Sequence, residues 1–282
     1  MIGDDKPPAY IVTGANSGIG KAIAKGLAER GLPVVLVCRD PLKGHAALDE
    51  IRVQTGSTAL SLVIGDLSSC AGVHKAAEHL LEEVPRIGAL INNAGLWNIK
   101  RKLNADGLEI TFFVNHLAPF LLTHLLLERL KESAPSRVVN VNAGLYIFGR
   151  VDLERTPTGE DMHWLRTYAN SKLCGVYFTC ELARRLKATG VTVNAIHPGV
   201  IRTNLGNGGG IGGVCLRFAK KLWKSPEKGA QGPIYLAISD EVKDKTGCFY
   251  FLLKEKPIAT VALDDVFSAK LWTLSESLTG LR

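Results

Sequence analysis

Tyr168 and Lys172 stand four residues apart in Tyr168-Ala169-Asn170-Ser171-Lys172, a spacing that puts both side chains on one helix face, one turn apart. An ammonium so placed lowers the pKa of a phenol, which makes Tyr168 a candidate to exchange a proton near neutral pH. A second pattern lies far upstream. Thr13-Gly14-Ala15-Asn16-Ser17-Gly18-Ile19-Gly20 follows the apolar run Tyr10-Ile11-Val12 and opens an amphipathic stretch, which predicts a strand, a glycine turn and a helix. Gly14 permits the tight turn, Gly18 lets the backbone approach a pyrophosphate, and Gly20 lets helix and strand pack closely. Asn16, Ser17 and Ile19 fill the loop, and the free N–H groups of the helix start face the anion.

Three smaller signals accompany these two. Asn92-Asn93-Ala94-Gly95 ends a predicted strand, where the carboxyl ends of parallel strands border a ligand crevice, and its small polar turn lets backbone approach a cofactor. Asp66-Leu67 follows another predicted strand and is placed to meet an adenine ring. Asn115 falls inside a long predicted helix, where an amide is a poor helix former without a task of its own.

These residues need a frame that brings them to one edge, and the apolar periodicity supplies it. Tyr10–Thr13, Val34–Cys38, Leu60–Ile64, Ala89–Asn92, Arg137–Val141, Val191–Ile196 and Gly247–Leu253 read as strands. Helices fit Lys21–Arg30, Lys43–Thr55, Cys70–Val84, Leu108–Ser133, Thr167–Thr189 and Pro226–Ile238. Each parallel neighbour needs a crossover, so the alternation predicts one α/β domain: a Rossmann-type, doubly wound parallel sheet of about seven strands with helices on both faces. The long fourth helix is apolar on more than one stripe, from Leu117 to Leu127, and is either deeply buried or part of a homodimer interface. The glycine cluster within 204–225 predicts a hinged substrate flap. Its basic amphipathic arm, 214–224, is open to three uses: substrate lid, membrane-surface contact or covering helix.

The 282 residues carry a formal charge of +7, but no run of like charges, which argues against nucleic acid as a partner. Six cysteines without CxxC pairs or histidine clusters read as reduced, packed thiols, with no metal site. Neither a leader sequence nor an uncharged apolar stretch of about eighteen residues is visible, so the expectation is a soluble, cytoplasmic protein.

In sum of its motifs, from about Pro8 to Leu253, the chain resembles the short-chain dehydrogenase/reductase family. Thr13–Gly20, Asn92–Gly95, Asn115, Tyr168 with Lys172, and Pro198-Gly199 occur in the family's order. Asn115-His116-Leu117-Ala118-Pro119-Phe120, His197 to Thr203 and Ser225 to Ala230 are similar in style to its retinol dehydrogenase branch, which uses nicotinamide cofactors on lipophilic carbonyls and alcohols. The resemblance implies Tyr168 as general acid, Lys172 bonded to the nicotinamide ribose, Asn115 holding a proton-relay water and Thr203 near the carboxamide. It also implies that Asn93, Ala94, Gly95, Pro198, Gly199 and Val200 line the cofactor. After the second strand, Arg39 stands where an acidic residue would bond a free ribose 2′-hydroxyl, and a guanidinium there suits a 2′-phosphate; NADP(H) is favoured over NAD(H), with Lys21 adding positive charge nearby.

One position departs from the family pattern. Matching after the fifth strand places Ala143 where a serine usually hydrogen-bonds the substrate carbonyl, and a methyl cannot donate. Three readings stand open. Asn142 or Tyr146 supplies a donor to a working reductase, with Ala143, Tyr146 and Trp97 touching substrate. Alternatively the pocket runs chemistry that needs no serine, such as reduction of a conjugated double bond or a non-redox reaction. In the third reading the chain binds nucleotide with little turnover.

Overall fold

β2 (Val34–Cys38) and β4 (Ile87–Asn92) are buried at every position, the mark of strands covered on both faces by crossover helices. The computed structural model describes residues 6–200 and 225–281. With β1 (Ala9–Thr13), β3 (Leu60–Ile64), β5 (Ser136–Val141), β6 (Val191–His197), β7 (Phe249–Phe251) and β8 (Lys254–Lys256) they form one sheet, in the order β3-β2-β1-β4-β5-β6-β7-β8. The neighbours from β3 across to β7 pair in parallel. The last pair, β7 with β8, is antiparallel. Gly247–Leu253 was expected as one strand. The chain instead reverses after Phe251 through Leu252 at φ +58°, and the eighth strand closes the sheet edge. The Rossmann-type, doubly wound architecture holds, and its strand order reverses at β1, which lies between β2 and β4.

Helices α1 (Gly18–Ala28), α2 (Pro41–Thr55) and α8 (Pro226–Ile238) cover one face of the sheet over a core that includes Val12, Ile23, Leu36 and Ile91. α3 (Cys70–Glu83), α5 (Ala118–Leu125), α7 (Arg166–Arg185) and the C-terminal α9 (Asp265–Leu278) cover the other, over Ile11, Leu90, Phe120, Val138 and Trp272. Asp40, Ser69 and Asp264 cap α2, α3 and α9 by accepting backbone N–H bonds, and Gly56 ends α2 at φ +70°. α9 had no counterpart among the expected helices.

The helix expected over Leu108–Ser133 is broken into α4 (Ile110–Phe112), a π turn (Phe113–Leu117), α5, and α6 (Leu127–Glu132). Pro119 is the physical reason: it has no N–H to give the Asn115 carbonyl four residues earlier, and the chain widens just before it, with the Ala118 N–H reaching back to Phe113. Most of its apolar surface is buried within the chain, with Leu125 and Leu127 half-buried. Leu117, Phe120, Leu121, Leu122 and Leu126 are at most 1% exposed. Among the described residues no helix is long and apolar enough to cross a membrane.

The Phe120 ring joins α5 to α7 and α9, with centroids 5.4 Å from Phe178 and 5.0 Å from Trp272. Phe120→Ala should cost about 3 to 5 kcal/mol and lower the thermal midpoint by roughly 10 °C, as read by circular dichroism. A fall of less than 2 °C would show that α9 does not depend on this contact.

Candidate active site

The crevice at the strand-order reversal is assembled by hydrogen bonds between chain segments about eighty residues apart. Thr13, the last residue of β1, accepts the N–H groups of Asn93 (3.0 Å) and Ala94 (2.9 Å) on its Oγ1, while the Asn93 side chain donates to the Thr13 carbonyl at 2.8 Å. The loops after β1 and β4 are thereby locked together. Gly14 sits at φ +67° and Gly18 at φ +54°, backbone conformations that L side chains rarely adopt. A Cβ on Gly20 would strike the Gly14 carbonyl oxygen and the Asn93 amide. Ser17 is the N-cap of α1 without a side-chain cap bond, and the first turn holds no acidic residue, so its N–H groups stay available to an anion. These features fit a dinucleotide pyrophosphate.

Around this loop the other expected cofactor residues fall on the same carboxyl edge. Arg39, after β2, is exposed and has neither hydrogen bond nor ion pair among the described residues. The adjacent Asp40 is occupied: it accepts the Lys43 N–H at 3.1 Å and pairs with the Lys43 ammonium at 3.3 Å. Lys21 pairs with Glu50 of α2 at 2.7 Å. Asp66 is exposed and accepts the Ser68 N–H at 3.1 Å, and Leu67 is half-buried beside it. After β6, Pro198 is buried, Gly199 adopts φ +93° and Val200 is exposed. Thr203 and the expected flap, including its basic arm, lie outside the described residues, apart from Ser225 at the start of α8.

α7 brings Tyr168 and Lys172 together as the spacing implies. They are 6% and 8% exposed, with Nζ 5.7 Å from the phenol centroid and donating to the Val141 carbonyl at 3.2 Å. The electrostatics differ from expectation. Burial pushes the phenol's pKa up, and it lowers that of Lys172 to about 8. Desolvation therefore outweighs any pull of the ammonium on the phenol, and Tyr168 is held protonated. The indole of Trp97 covers the phenol, with centroids 4.6 Å apart and planes 16° from parallel. Trp164, half exposed, stacks behind Trp97 at 5.9 Å, and its carbonyl accepts the Trp97 indole N–H.

Asn115, inside the π turn, uses its amide as a clamp. Oδ1 accepts the Leu96 N–H at 2.8 Å, and Nδ2 donates to the Leu96 carbonyl and to Ser171 Oγ, both at 2.9 Å. The loop that carries Trp97 is thus tied to the helix that carries Tyr168. Against Asn115 and Lys172 lies a cavity of about 20 Å³, also lined by Asn92, Asn140 and Asn142, with room for one water. The Asn92 Oδ1 atom is buried without a protein partner.

Both expected substitutes for the missing serine are held by neighbouring backbone groups. Asn142 donates to the Lys172 carbonyl at 3.0 Å and accepts the Ala143 N–H at 2.7 Å. Tyr146 corrects its assignment to substrate: it is 3% exposed, tilts against Phe249 at 4.9 Å, and its hydroxyl accepts the Ala259 N–H at 2.9 Å. Packing of the C-terminal segment draws it inward. Ala143 itself lies half-buried on the turn that opens a short 3-10 helix, Gly144–Phe148, packed on α7. Thr13, Ser171, Trp164 and His197 were not assigned roles from sequence. Only Thr13 carried a usable signal, a hydroxyl at the end of the strand that opens the glycine loop.

The short chain dehydrogenase family model matches residues 8–209, and the chain belongs to that family. Retinol dehydrogenase 13 of Homo sapiens is 42% identical over 284 residues, covering 96% of this chain and 84% of that one. A solved structure from Mycobacterium paratuberculosis superposes with a TM-score of 0.76 at 32% identity, over 98% of this chain and 96% of that one. A short chain dehydrogenase from Escherichia coli CFT073, complexed with NADPH, shares the fold at a TM-score of 0.68 and 23% identity, over 88% of this chain and 97% of that one. The chain is accordingly an NAD(P)-dependent oxidoreductase of the retinol dehydrogenase-like kind.

Two histidines near the site bear on acid stability. Burial lowers the pKa of His116 to about 3, and burial with the charge of Lys172 lowers that of His197 to about 4. Below an unfolded pKa near 6.5, the unfolded chain binds protons that the folded chain refuses, so stability falls as pH drops through that window. Each histidine should remove about 2 kcal/mol between pH 7 and pH 5. Urea denaturation of His116→Gln should show a shallower loss over this range than the parent; equal slopes would place His116 outside the account.

Proposed function

We propose that this chain is an NADPH-dependent reductase of lipophilic aldehydes or ketones, able to run the corresponding alcohol oxidation in reverse. The observation that carries the reading is the burial of Tyr168 and Lys172 side by side at the carboxyl edge, beneath a tryptophan and next to the glycine crevice. A reduced nicotinamide held at that crevice would supply hydride for the carbonyl carbon. Tyr168, protonated by virtue of its burial, donates to the carbonyl oxygen. Lys172 returns a proton toward the phenol, and the polar cavity behind it, with Asn115 at its wall, is the place for the relay water. The wall against the phenol is apolar, the Trp97 indole with Trp164 stacked behind it. The retinol dehydrogenase names of its relatives point to substrates of the same lipophilic class.

Two features support NADPH over NADH. The Arg39 guanidinium has no protein partner among the described residues, and the neighbouring carboxylate is spent on capping α2. The solved relative from Escherichia coli, complexed with NADPH, agrees with this choice. A second reading, reduction of a conjugated double bond, keeps one observation in its favour, since Ala143 offers no donor and Asn142 is committed elsewhere.

Tyr168→Phe should lower carbonyl reduction by about 100- to 10,000-fold and leave NADPH affinity within threefold, measured by cofactor absorbance and by titration. Unchanged turnover would remove Tyr168 as proton donor. Arg39→Asp should weaken NADPH binding by roughly 10- to 100-fold, the worth of a charged hydrogen-bond partner, while NADH binding holds or improves. Equal losses for both cofactors would show that Arg39 does not read the 2′-phosphate.

A further inference from the structure

We infer that His197 supplies the hydrogen-bond donor that Ala143 cannot, its imidazole Nε2–H reaching the carbonyl oxygen that Tyr168 protonates. The inference rests on the reductase reading and adds to it a residue that polarises the substrate. Strand alternation sets the direction. Val193 and Ala195 of β6 belong to the core layer beneath α7, so His197, two residues on, points to the face that carries Tyr168 and Lys172. Its ring edge lies along the turn after β5. A Cβ on Gly144 would sit 3.2 Å from His197 Cδ2 and 3.4 Å from Nε2, so this edge adjoins the position next to Ala143. The ring is backed by Phe251, with centroids 5.1 Å apart.

The hydrogen-bonding capacity of this ring is unspent. Nδ1 is buried without a partner, and neither ring nitrogen has a hydrogen bond among the described residues. Other polar groups of the site are engaged: Asn142 donates to the Lys172 carbonyl and accepts the Ala143 N–H, Ser171 donates to the Tyr168 carbonyl, the Trp97 indole donates to the Trp164 carbonyl, and the buried Tyr146 hydroxyl is held at the Ala259 N–H that it accepts. The charge of Lys172 and burial together hold the imidazole neutral, with one N–H to give. A hydrogen on Nδ1 would be an orphaned buried donor, which is rarer and costlier than a bare acceptor. The hydrogen therefore belongs on Nε2, the edge against the turn. A neutral imidazole kept from protonation is an effective electrophile toward a developing oxyanion, and one preorganised donor contributes about 100- to 1,000-fold in rate.

The test is a double-variant series with NADPH and decanal. His197→Ala should lower kcat by about 100-fold with NADPH affinity unchanged, and adding Ala143→Ser to it should restore at least tenfold, since a serine hydroxyl there serves the same oxygen. Because Ala143 lies next to the turn that His197 packs against, the rescue is read in kcat at equal thermal stability, which a merely structural histidine would not move. Independently of turnover, quenching of tryptophan fluorescence by decan-2-one in the presence of NADP⁺ should show at least tenfold weaker ketone binding in His197→Ala. Circular dichroism and NADPH titration confirm that each variant is folded. Parent-like kcat in His197→Ala, or a folded double variant no faster than the single one, would overturn the inference while leaving the reductase reading intact. If the parent itself reduces no carbonyl, the reductase reading falls first and this inference with it.

Discussion

A lysine ammonium enclosed by protein sets the terms for everything around it. Removing such a charge from water costs several kcal/mol, and the structure offsets this with the Val141 carbonyl and a small chamber walled by asparagine side chains. The remaining penalty appears as the drop of Lys172 to about 8, close enough to neutrality that its proton is exchangeable. The same charge helps to keep His197 neutral. Burial, more than this one cation, sets the protonation of its surroundings, and the strand ends and helices are arranged so that the cation can be buried at all.

That arrangement depends on clamps rather than on the sheet alone. Parallel strands bring β1, β4, β5 and β6 to a common edge, but the loops that follow them are long and need tying. Thr13 ties the loop after β4 to the end of β1, and Asn115 ties its continuation to Ser171 on α7. Both use the side chain of a buried polar residue to satisfy backbone groups that would otherwise be unpaired. Trp97 stands just beyond the second clamp, which is why its indole can lie so closely on the phenol.

Much of this was legible in the sequence because its signals are local. The glycine spacing dictates Gly14, Gly18 and Gly20, and period-two and period-3.6 apolar patterns dictate seven strand positions and six helical segments. What escaped was non-local. The break in the long helix follows from Pro119, visible in sequence, but its form as a π turn over Phe113–Leu117 is not written in the apolar period. The fate of Tyr146 is decided by Ala259, more than a hundred residues later, and that of Lys21 by Glu50 on another helix. Spacing reports the proximity of Tyr168 to Lys172, whereas the pKa of the phenol depends on burial, a property of the whole fold, which pushes it up.

The protonation pattern also bears on direction. A phenol whose pKa is raised by burial stays protonated but is a weak acid, so it releases its proton only where the resulting phenolate is stabilised. Oxidation needs a phenolate, and the group best placed to stabilise one is Lys172, 5.7 Å from the ring centroid and engaged with Val141. A nicotinamide carries a positive charge in its oxidised form and none in its reduced form, so an oxidised ring held at this crevice would add a second cation to the surroundings of the phenol. The same tyrosine would then be more acidic with the oxidised cofactor than with the reduced one. The charge of such a cofactor would reset the acid without a change in the protein's shape.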